Sequence, residues 1–368
     1  MKKTILALAV PALLAAGAAN ASISLYEEDG TKVELKGAVE VQYRLSGAED
    51  AFGDNNNASG ASTNDGQLRV DDGDLAIRIT HSEDGENYAF GAIELRIGED
   101  KRSNSVTNAA GDEIGTLDVN ASGSGVGDVT NDGLYVGLGG NWGEVSFGRQ
   151  AALIDDTGVS TEYELKDEAG VDFEDTDFDQ LIKYKFNGEG YWFGASYNIS
   201  QDGDNGASSE ELFELAAGVN IIDSLELRGF YGDLDNASQR TGTNGNNVSE
   251  DATGWDVELA YTEGPFYVGM LYGNFENTDA VNGVTSDRDT FELAGSYTVG
   301  KGKFGAGFAI DEDDKANRDA TSYYVNYGYN ILENCKVYTE IGFEDVEANN
   351  GAGDWDGVGY VAGIELKF

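Results

Sequence analysis

The chain has 368 residues and a formal net charge of −45, from 68 Asp and Glu against 23 Lys and Arg. So acidic a chain excludes nucleic acid as a natural partner, and its surface attracts cations and repels anions. A single cysteine, Cys335, excludes an internal disulfide framework. Two prolines, 51 glycines, 19 tyrosines and 16 phenylalanines favour many strands with tight turns over helices.

The N-terminal 21 residues have the pattern of a secretory signal peptide. Lys2 and Lys3 precede an apolar stretch from Ile5 to Ala16, and Ala19-Asn20-Ala21 forms a small-x-small cleavage site. The apolar stretch is too short for a membrane-spanning helix and contains Pro11. We therefore predict an exported protein in two parts, a signal peptide at 1–21 and a single β-barrel domain at 22–368.

Segments that alternate between apolar and polar residues follow one another along the rest of the chain. They predict sixteen strands, because alternation with period 2 is the signature of a strand with one apolar face. The predicted strands lie at 32–46, 68–82, 87–98, 132–140, 143–149, 179–187, 190–200, 210–221, 224–234, 252–262, 265–276, 287–299, 302–311, 319–330, 335–346 and 356–368.

The gaps between these strands alternate in length. Gaps such as Asn141-Trp142, Ile222-Asp223 and Gly264-Pro265 are short, whereas those near 99–131 and 150–178 are long. Short turns on one side and long loops on the other are typical of a transmembrane barrel. A soluble propeller would instead show a repeated blade motif, and the sequence contains none.

The last strand runs to the end of the chain. Tyr360, Ala362, Ile364, Leu366 and Phe368 form its apolar face. Chain ends normally fray into water, so a strand paired to its last residue indicates a closed sheet. An interior strand of a soluble sandwich is the alternative for this segment alone.

The other face of the strands is polar and charged. Glu34, Lys36, Glu40, Gln42 and Arg44 in the first predicted strand are followed by comparable residues in later ones. The lumen of a sixteen-stranded barrel is too wide to be filled by side chains, so a polar inward face predicts a water-filled pore. Trp192 and Phe230 also have inward parity, which is too few aromatic residues to argue for a sugar-selective pore.

In outline the whole chain resembles the general porins of Gram-negative outer membranes. The resemblance is most specific in the opening stretch from Leu25 to Gly37, in Gly143-Glu144-Val145-Ser146-Phe147-Gly148-Arg149, and in the terminal aromatic strand. It implies an all-β, sixteen-stranded antiparallel barrel in the outer membrane, with the third loop folded into the lumen. It also implies homotrimers that pass small hydrophilic solutes, and an assembly signal at Tyr360 and Phe368.

The resemblance extends unevenly to individual pore residues. In the family, basic wall residues face acidic residues of the third loop. The expected bases are Arg149, Lys185, Lys183, Arg78 and Arg44, and the expected acids are Asp155, Asp156, Glu162, Glu164, Asp167 and Glu168. Strict alternation places Arg149 with Phe147 on the outer face, so its lumen position depends on the resemblance and a local bulge. Because acids outnumber bases, we predict a preference for cations.

Other chemistry is weakly supported. His81 is the only histidine and lies at a turn, so we expect no catalysis, no metal site and no cofactor. Acidic loop stretches such as Asp311-Glu312-Asp313-Asp314 could hold Ca²⁺ weakly, or bind lipopolysaccharide phosphates through bridging divalent cations. An oligosaccharide-selective porin and a surface adhesin or receptor remain as alternative functions.

Overall fold

The computed structural model describes residues 22–45, 66–99, 103–107, 113–118, 126–161, 164–165, 177–199, 211–241, 247–279, 284–315, 318–348 and 355–368. The predicted signal peptide at 1–21 lies outside these ranges and stays a prediction. In the described part, no helix is long and apolar enough to cross a membrane.

Strands make up nearly all of the described chain. They are β1 (Ile23–Glu28), β2 (Thr31–Leu45), β3 (Gly66–His81), β4 (Tyr88–Glu99), β5 (Ser103–Thr107), β6 (Glu113–Asp118), β7 (Val126–Gly140), β8 (Gly143–Ala151), β9 (Asp177–Asn187), β10 (Tyr191–Asn198), β11 (Glu211–Ile222), β12 (Leu225–Thr241), β13 (Asn247–Glu263), β14 (Phe266–Asp279), β15 (Val284–Val299), β16 (Gly302–Asp313), β17 (Arg318–Leu332), β18 (Cys335–Ala348) and β19 (Trp355–Lys367).

Sixteen of these strands form a closed antiparallel barrel, as predicted. Each of β2 to β4 and β7 to β19 pairs with its neighbour, and β19 pairs back with β2, so the sheet has no free edge. Two additions were not predicted. The strand β1 forms a hairpin with β2, and β5 and β6 pair with each other within the long 99–131 gap.

The two ends of the described chain meet on one edge of β2. The terminal Phe368 exchanges backbone hydrogen bonds of 2.7 and 2.9 Å with Gly37. Two positions further along the same edge, Ile23 pairs with Leu35. The first described strand and the last residue therefore lie close together, and Phe368 is held within the sheet.

Burial alternates along the strands as the sequence predicts. In β11, Leu212, Glu214 and Ala216 are buried, while Phe213 and Leu215 between them are exposed. The buried parity faces the inside of the barrel and carries most of the charged side chains. The exposed parity forms an apolar outer belt, which suits the hydrocarbon core of a membrane.

Aromatic side chains mark two levels of this outer belt. At the upper level, which is nearer the long loops, the cross-strand neighbours are Tyr231 with Trp255, Tyr272 with Phe291, Phe308 with Tyr323, and Tyr323 with Phe343. At the lower level, nearer the short turns, Phe266 pairs with Tyr297, Tyr297 with Phe304, and Phe304 with Tyr327. Two aromatic rows flanking an aliphatic band are typical of barrel surfaces at the two membrane interfaces.

Candidate functional site

The segment between β8 and β9 follows the inner wall of the barrel in its described part, residues 152–161 and 164–165. The backbone N–H groups of Leu153 and Ile154 donate to the two carboxylate oxygens of Glu214 on β11, at 2.8 and 3.0 Å. Both side chains are buried in an apolar cluster that includes Phe178 and Phe230. The segment is therefore first anchored by the Glu214 carboxylate and by apolar packing around Leu153 and Ile154.

Further anchors continue around the wall on β13, β15, β17 and β18. The Gly158 N–H donates to Glu258 on β13, and the Ser160 hydroxyl donates to Glu292 on β15. The Thr161 N–H then donates to the Tyr324 hydroxyl on β17 at 2.8 Å. Finally, the N–H groups of Glu164 and Leu165 share one oxygen of Glu340 on β18, at 3.0 and 2.9 Å.

These wall anchors, which we call the carboxylate ladder (Glu214, Glu258, Glu292 and Glu340), were missed in the sequence analysis, although a signal was present. Three of them lie in a recurring pattern: Phe213-Glu214-Leu215-Ala216, Val257-Glu258-Leu259-Ala260 and Phe291-Glu292-Leu293-Ala294. The Glu points inward, and the Ala two positions later is buried on the same face. In this repeat the Glu carboxylate accepts hydrogen bonds from the segment, and the small Ala leaves space for the backbone of the segment.

Inward glycines also make room for the segment. A Cβ atom at Gly269 would lie 2.6 Å from Cβ of Val159, and one at Gly305 would lie 2.8 Å from Oγ1 of Thr161. Real Cβ atoms do not approach so closely, so any larger residue at either position would displace the segment. The glycines at 269 and 305 therefore leave the space that the segment occupies along the wall.

Three of the predicted basic residues reach the segment or its start. The Lys185 ammonium pairs with the Asp156 carboxylate, and the Lys183 ammonium donates to the Ala151 carbonyl at 2.6 Å. The Arg44 guanidinium donates to the Glu164 carbonyl. These bases lie on β2 and β9, at the two ends of the path that the segment takes around the wall.

The other two predicted bases lie elsewhere. Arg78 is inward but pairs with Glu144 at 2.8 Å and lies over the Phe90 ring. Arg149 differs from the prediction made by resemblance. Its Cα is opposite Leu134, which is exposed on the outer face, and its guanidinium pairs with the exposed Asp179.

The register around Arg149 explains this placement. The pairing shifts between Gly148 and Gln150, yet Gly148 is opposite the inward Tyr135 and Gln150 is opposite the inward Phe178. The bulge thus leaves residues 148 and 150 inward and Arg149 between them on the outer face. Strict period-2 alternation therefore predicts the outward position of Arg149 correctly, whereas the resemblance to the porins places it on the wrong face.

Of the predicted loop acids, three fall within the described residues. Asp155 and Asp156 are exposed on the segment. Glu164 is half-buried and accepts a hydrogen bond from Gln42 at 2.8 Å. Glu162, Asp167 and Glu168 lie outside the described residues, so their role stays a prediction.

Among the buried charged side chains, acids far outnumber bases. Nine carboxylate side chains are buried among the described residues, whereas Arg228 is the one buried base there: the acids are Glu40, Glu214, Glu226, Asp256, Glu258, Glu292, Glu340, Glu344 and Glu365. Arg228 pairs with Glu258 and donates to the Gly158 carbonyl at 3.1 Å. No group of three or more His, Cys, Asp or Glu side chains in the described part is arranged to hold a metal ion.

A closed barrel with an apolar belt outside, aromatic rows at two levels and a charged inner wall is the architecture of a transmembrane β-barrel channel. The chain also matches the family model described as Gram-negative porin over residues 7–349. It belongs to the Gram-negative porin family and is a multi-pass barrel of the outer membrane.

Individual relatives agree with this assignment. The chain is 32% identical to porin-like protein H of Photobacterium profundum, over 100% of both chains. Among solved structures, it is similar to the trimer form of OmpT, an outer membrane protein of Vibrio cholerae, with a TM-score of 0.67 and 20% identity over 92% of this chain and 100% of that one. It is also similar to the anion-selective porin of Comamonas acidovorans, with a TM-score of 0.63 and 18% identity over 92% of this chain and 100% of that one.

Proposed function

We propose that this porin passes small hydrophilic solutes and ions by passive diffusion and prefers cations. The observation that carries the proposal is the excess of acidic residues on the inner wall, where nine acids are buried against the single buried base Arg228 among the described residues. A surface with an excess of one charge raises the local concentration of the opposite ion. The fold does not decide the preference, because a similar barrel belongs to an anion-selective porin.

The segment between β8 and β9, residues 152–176, is the proposed constriction, and we call it the constriction segment. Its described part is anchored to β11, β13, β15, β17 and β18 in turn, so it narrows the lumen along much of its circumference. Asp155 and Asp156 remain exposed on it. Ion selectivity in such a pore follows from the charges that line its narrowest part.

Selectivity is tested by the reversal potential across a tenfold KCl gradient. Neutralising Asp155, Asp156, Glu162 and Glu164 together should weaken the cation preference. Removing the charge of Lys185 should strengthen it, because the partner of Asp156 is then lost. The preference should also grow at low salt, where the Debye length reaches about 30 Å near 0.01 M.

The same contacts disfavour an aromatic track for sugars. Trp192 and Phe230 face inward as predicted, but Phe230 is buried in the cluster that holds Leu153, and Trp192 packs against that cluster. They support the segment instead of lining an open path. General diffusion is therefore favoured over oligosaccharide selectivity.

Homotrimers are the proposed assembly, and the outer face of β2, β3, β4 and β7 is the proposed contact. Among the described outward residues of these four strands, Tyr43 is the only aromatic one, while aliphatic side chains such as Ile79, Ile93 and Val136 are exposed. We call this surface the aliphatic face. A barrel flank without aromatic rows fits a protein neighbour better than it fits the two membrane interfaces.

Lipopolysaccharide is the proposed lipid partner of the opposite flank. Above the upper aromatic row, Asp289 is directly opposite Glu312, and Glu312 is directly opposite Asp319, all facing outward. Like charges in such pairs repel unless a counter-ion intervenes. Divalent cations that bridge these acids to lipid phosphates would relieve the repulsion. Chelation by EDTA should then lower the melting temperature of the lipopolysaccharide-bound protein, and the D289N/E312Q variant should respond less.

A further inference from the structure

A small niche lies between the constriction segment and the wall. It has a volume of about 20 Å³, which is room for about one water-sized occupant. Leu153, Asp156 and Thr157 line it from the segment, and Trp192, Arg228, Phe230, Asp256 and Glu258 line it from the wall. The proposal made above concerns the net charge of the lumen and assigns no binding site to this niche.

Asp256 is the unusual residue of the niche. Its side chain is 2% exposed, and neither carboxylate oxygen has a hydrogen-bond partner. It belongs to β13 and lies directly opposite Phe230, so it points inward with the other niche residues. A buried ionised carboxylate without a partner is costly, and buried charges in proteins are normally paired.

The other two carboxylates that line the niche, Asp156 and Glu258, are in ion pairs. Arg228 pairs with Glu258, and Lys185 pairs with Asp156. Glu226, next to the niche, accepts a hydrogen bond from the Trp192 indole at 2.7 Å. Asp256 is therefore the one carboxylate lining the niche that has neither a hydrogen bond nor an ion pair in the described structure.

We propose that the niche binds a small monovalent cation, with Asp256 as its principal ligand. A divalent metal would need several carboxylates, whereas a monovalent ion needs one charge and is tolerant in its other contacts. The Trp192 and Phe230 side chains line the same space, and aromatic rings attract cations that lie over their faces. The ion would sit behind Asp156 and Thr157, as a resident cation at the edge of the conduction path.

The proposal depends on the proposed pore only for access from the lumen, so it is tested by a structural measurement. Rb⁺ is the probe, because it replaces smaller alkali ions and scatters X-rays anomalously. Crystals of the wild-type protein grown in RbCl should give an anomalous peak beside the Asp256 carboxylate. The D256N variant, which has the same shape and no charge, should lack that peak.

The D233N variant is the matched control. Asp233 belongs to the neighbouring strand β12, and it is exposed on the outer face, so its removal takes away one charge without touching the niche. D233N should keep the peak. In solution, the concentration of RbCl at which the conductance is half-saturated should rise about tenfold in D256N, equivalent to about 1.4 kcal/mol, and stay unchanged in D233N.

Several results would overturn the proposal. Wild-type crystals in RbCl that show water density without an anomalous signal at Asp256 would mean that a solvent molecule or a proton satisfies the carboxylate, and that result is incompatible with the site. A peak that persists in D256N would assign the ion to other ligands. The wild-type crystal decides the matter even if D256N fails to fold, and an anion-selective reversal potential with a peak present would reject the pore proposal alone.

Discussion

A side chain at position 37 would not fit, because Phe368 occupies the space beside Gly37. A Cβ atom there would lie 2.7 Å from the Phe368 ring and 2.5 Å from the Asp74 carbonyl oxygen. The backbone of Gly37 also holds Phe368 through two hydrogen bonds. The closure of the barrel therefore depends on a glycine far away in the sequence.

The first prediction concerns this closure. The G37A variant should unfold at lower temperature, because overpacking of this kind costs about 1–3 kcal/mol. The shift of the barrel band on gels after heating measures it. G91A is the control, since a Cβ at Gly91 would have its nearest neighbour at 3.7 Å. Equal melting of G37A and the wild-type protein would contradict the role given to Gly37.

Asp84 gives a second prediction at the residue scale, in the turn between β3 and β4. Its carboxylate accepts the N–H groups of Asn87 and Glu86, both at 2.8 Å, and these bonds lower its pKa to about 2. The usual value is about 3.9. Because the folded pKa is the lower one, the stabilisation is complete above pH 4 and disappears as the pH falls towards 2.

The D84N variant separates this contribution from the rest of the acid response. Wild-type protein should melt at a higher temperature than D84N at pH 6, and the difference should shrink between pH 4 and pH 2. The measurement is the melting temperature of both proteins across that range. A difference that does not change with pH would show that the charge of Asp84 is not what stabilises the turn.

At the scale of elements, the carboxylate ladder holds the constriction segment. In the E214A variant the N–H groups of Leu153 and Ile154 lose their acceptor, and hydrogen bonds to charged groups contribute about 1.5–3 kcal/mol each. We expect the segment to detach locally, so that single-channel conductance rises. E214Q keeps one oxygen acceptor and should have a smaller effect, while D233A on the outer face should have none. Unchanged conductance in E214A would indicate that the segment stays in place without this anchor.

The elements of the barrel follow from the sequence because alternation with period 2 is local. Strands such as β15 and β16 were predicted within a few residues of their observed bounds. The path of the constriction segment (152–176) could not be predicted, because it depends on contacts between residues about 60 to 175 positions apart. For Arg149 the reverse holds: local alternation predicts its outward position, and the resemblance to the porins predicts the wrong face.

At the scale of the whole molecule, the outer surface is asymmetric. The aliphatic face on β2, β3, β4 and β7 lacks the two aromatic rows that mark β12 to β18. If the aliphatic face contacts other copies, a bulky residue there should disturb assembly, whereas the same residue in contact with lipid should be tolerated.

Ile93 and Val257 allow a matched test, since each is 46% exposed on the outer face. The I93W variant should dissociate to monomers in mild detergent, and V257W should remain trimeric. Size-exclusion chromatography with light scattering measures the mass of both. Trimeric I93W together with monomeric V257W would assign the contact to the opposite flank.

The reversal potential of the wild-type channel across a tenfold KCl gradient tests the central claim most directly, since it reports the sign of the charge that permeating ions meet. The acidic inner wall predicts a potential of the sign given by K⁺ selectivity, which increases when total salt is lowered. A potential of the sign given by Cl⁻ selectivity would contradict both the constriction proposed for residues 152–176 and the charge argument built on the wall.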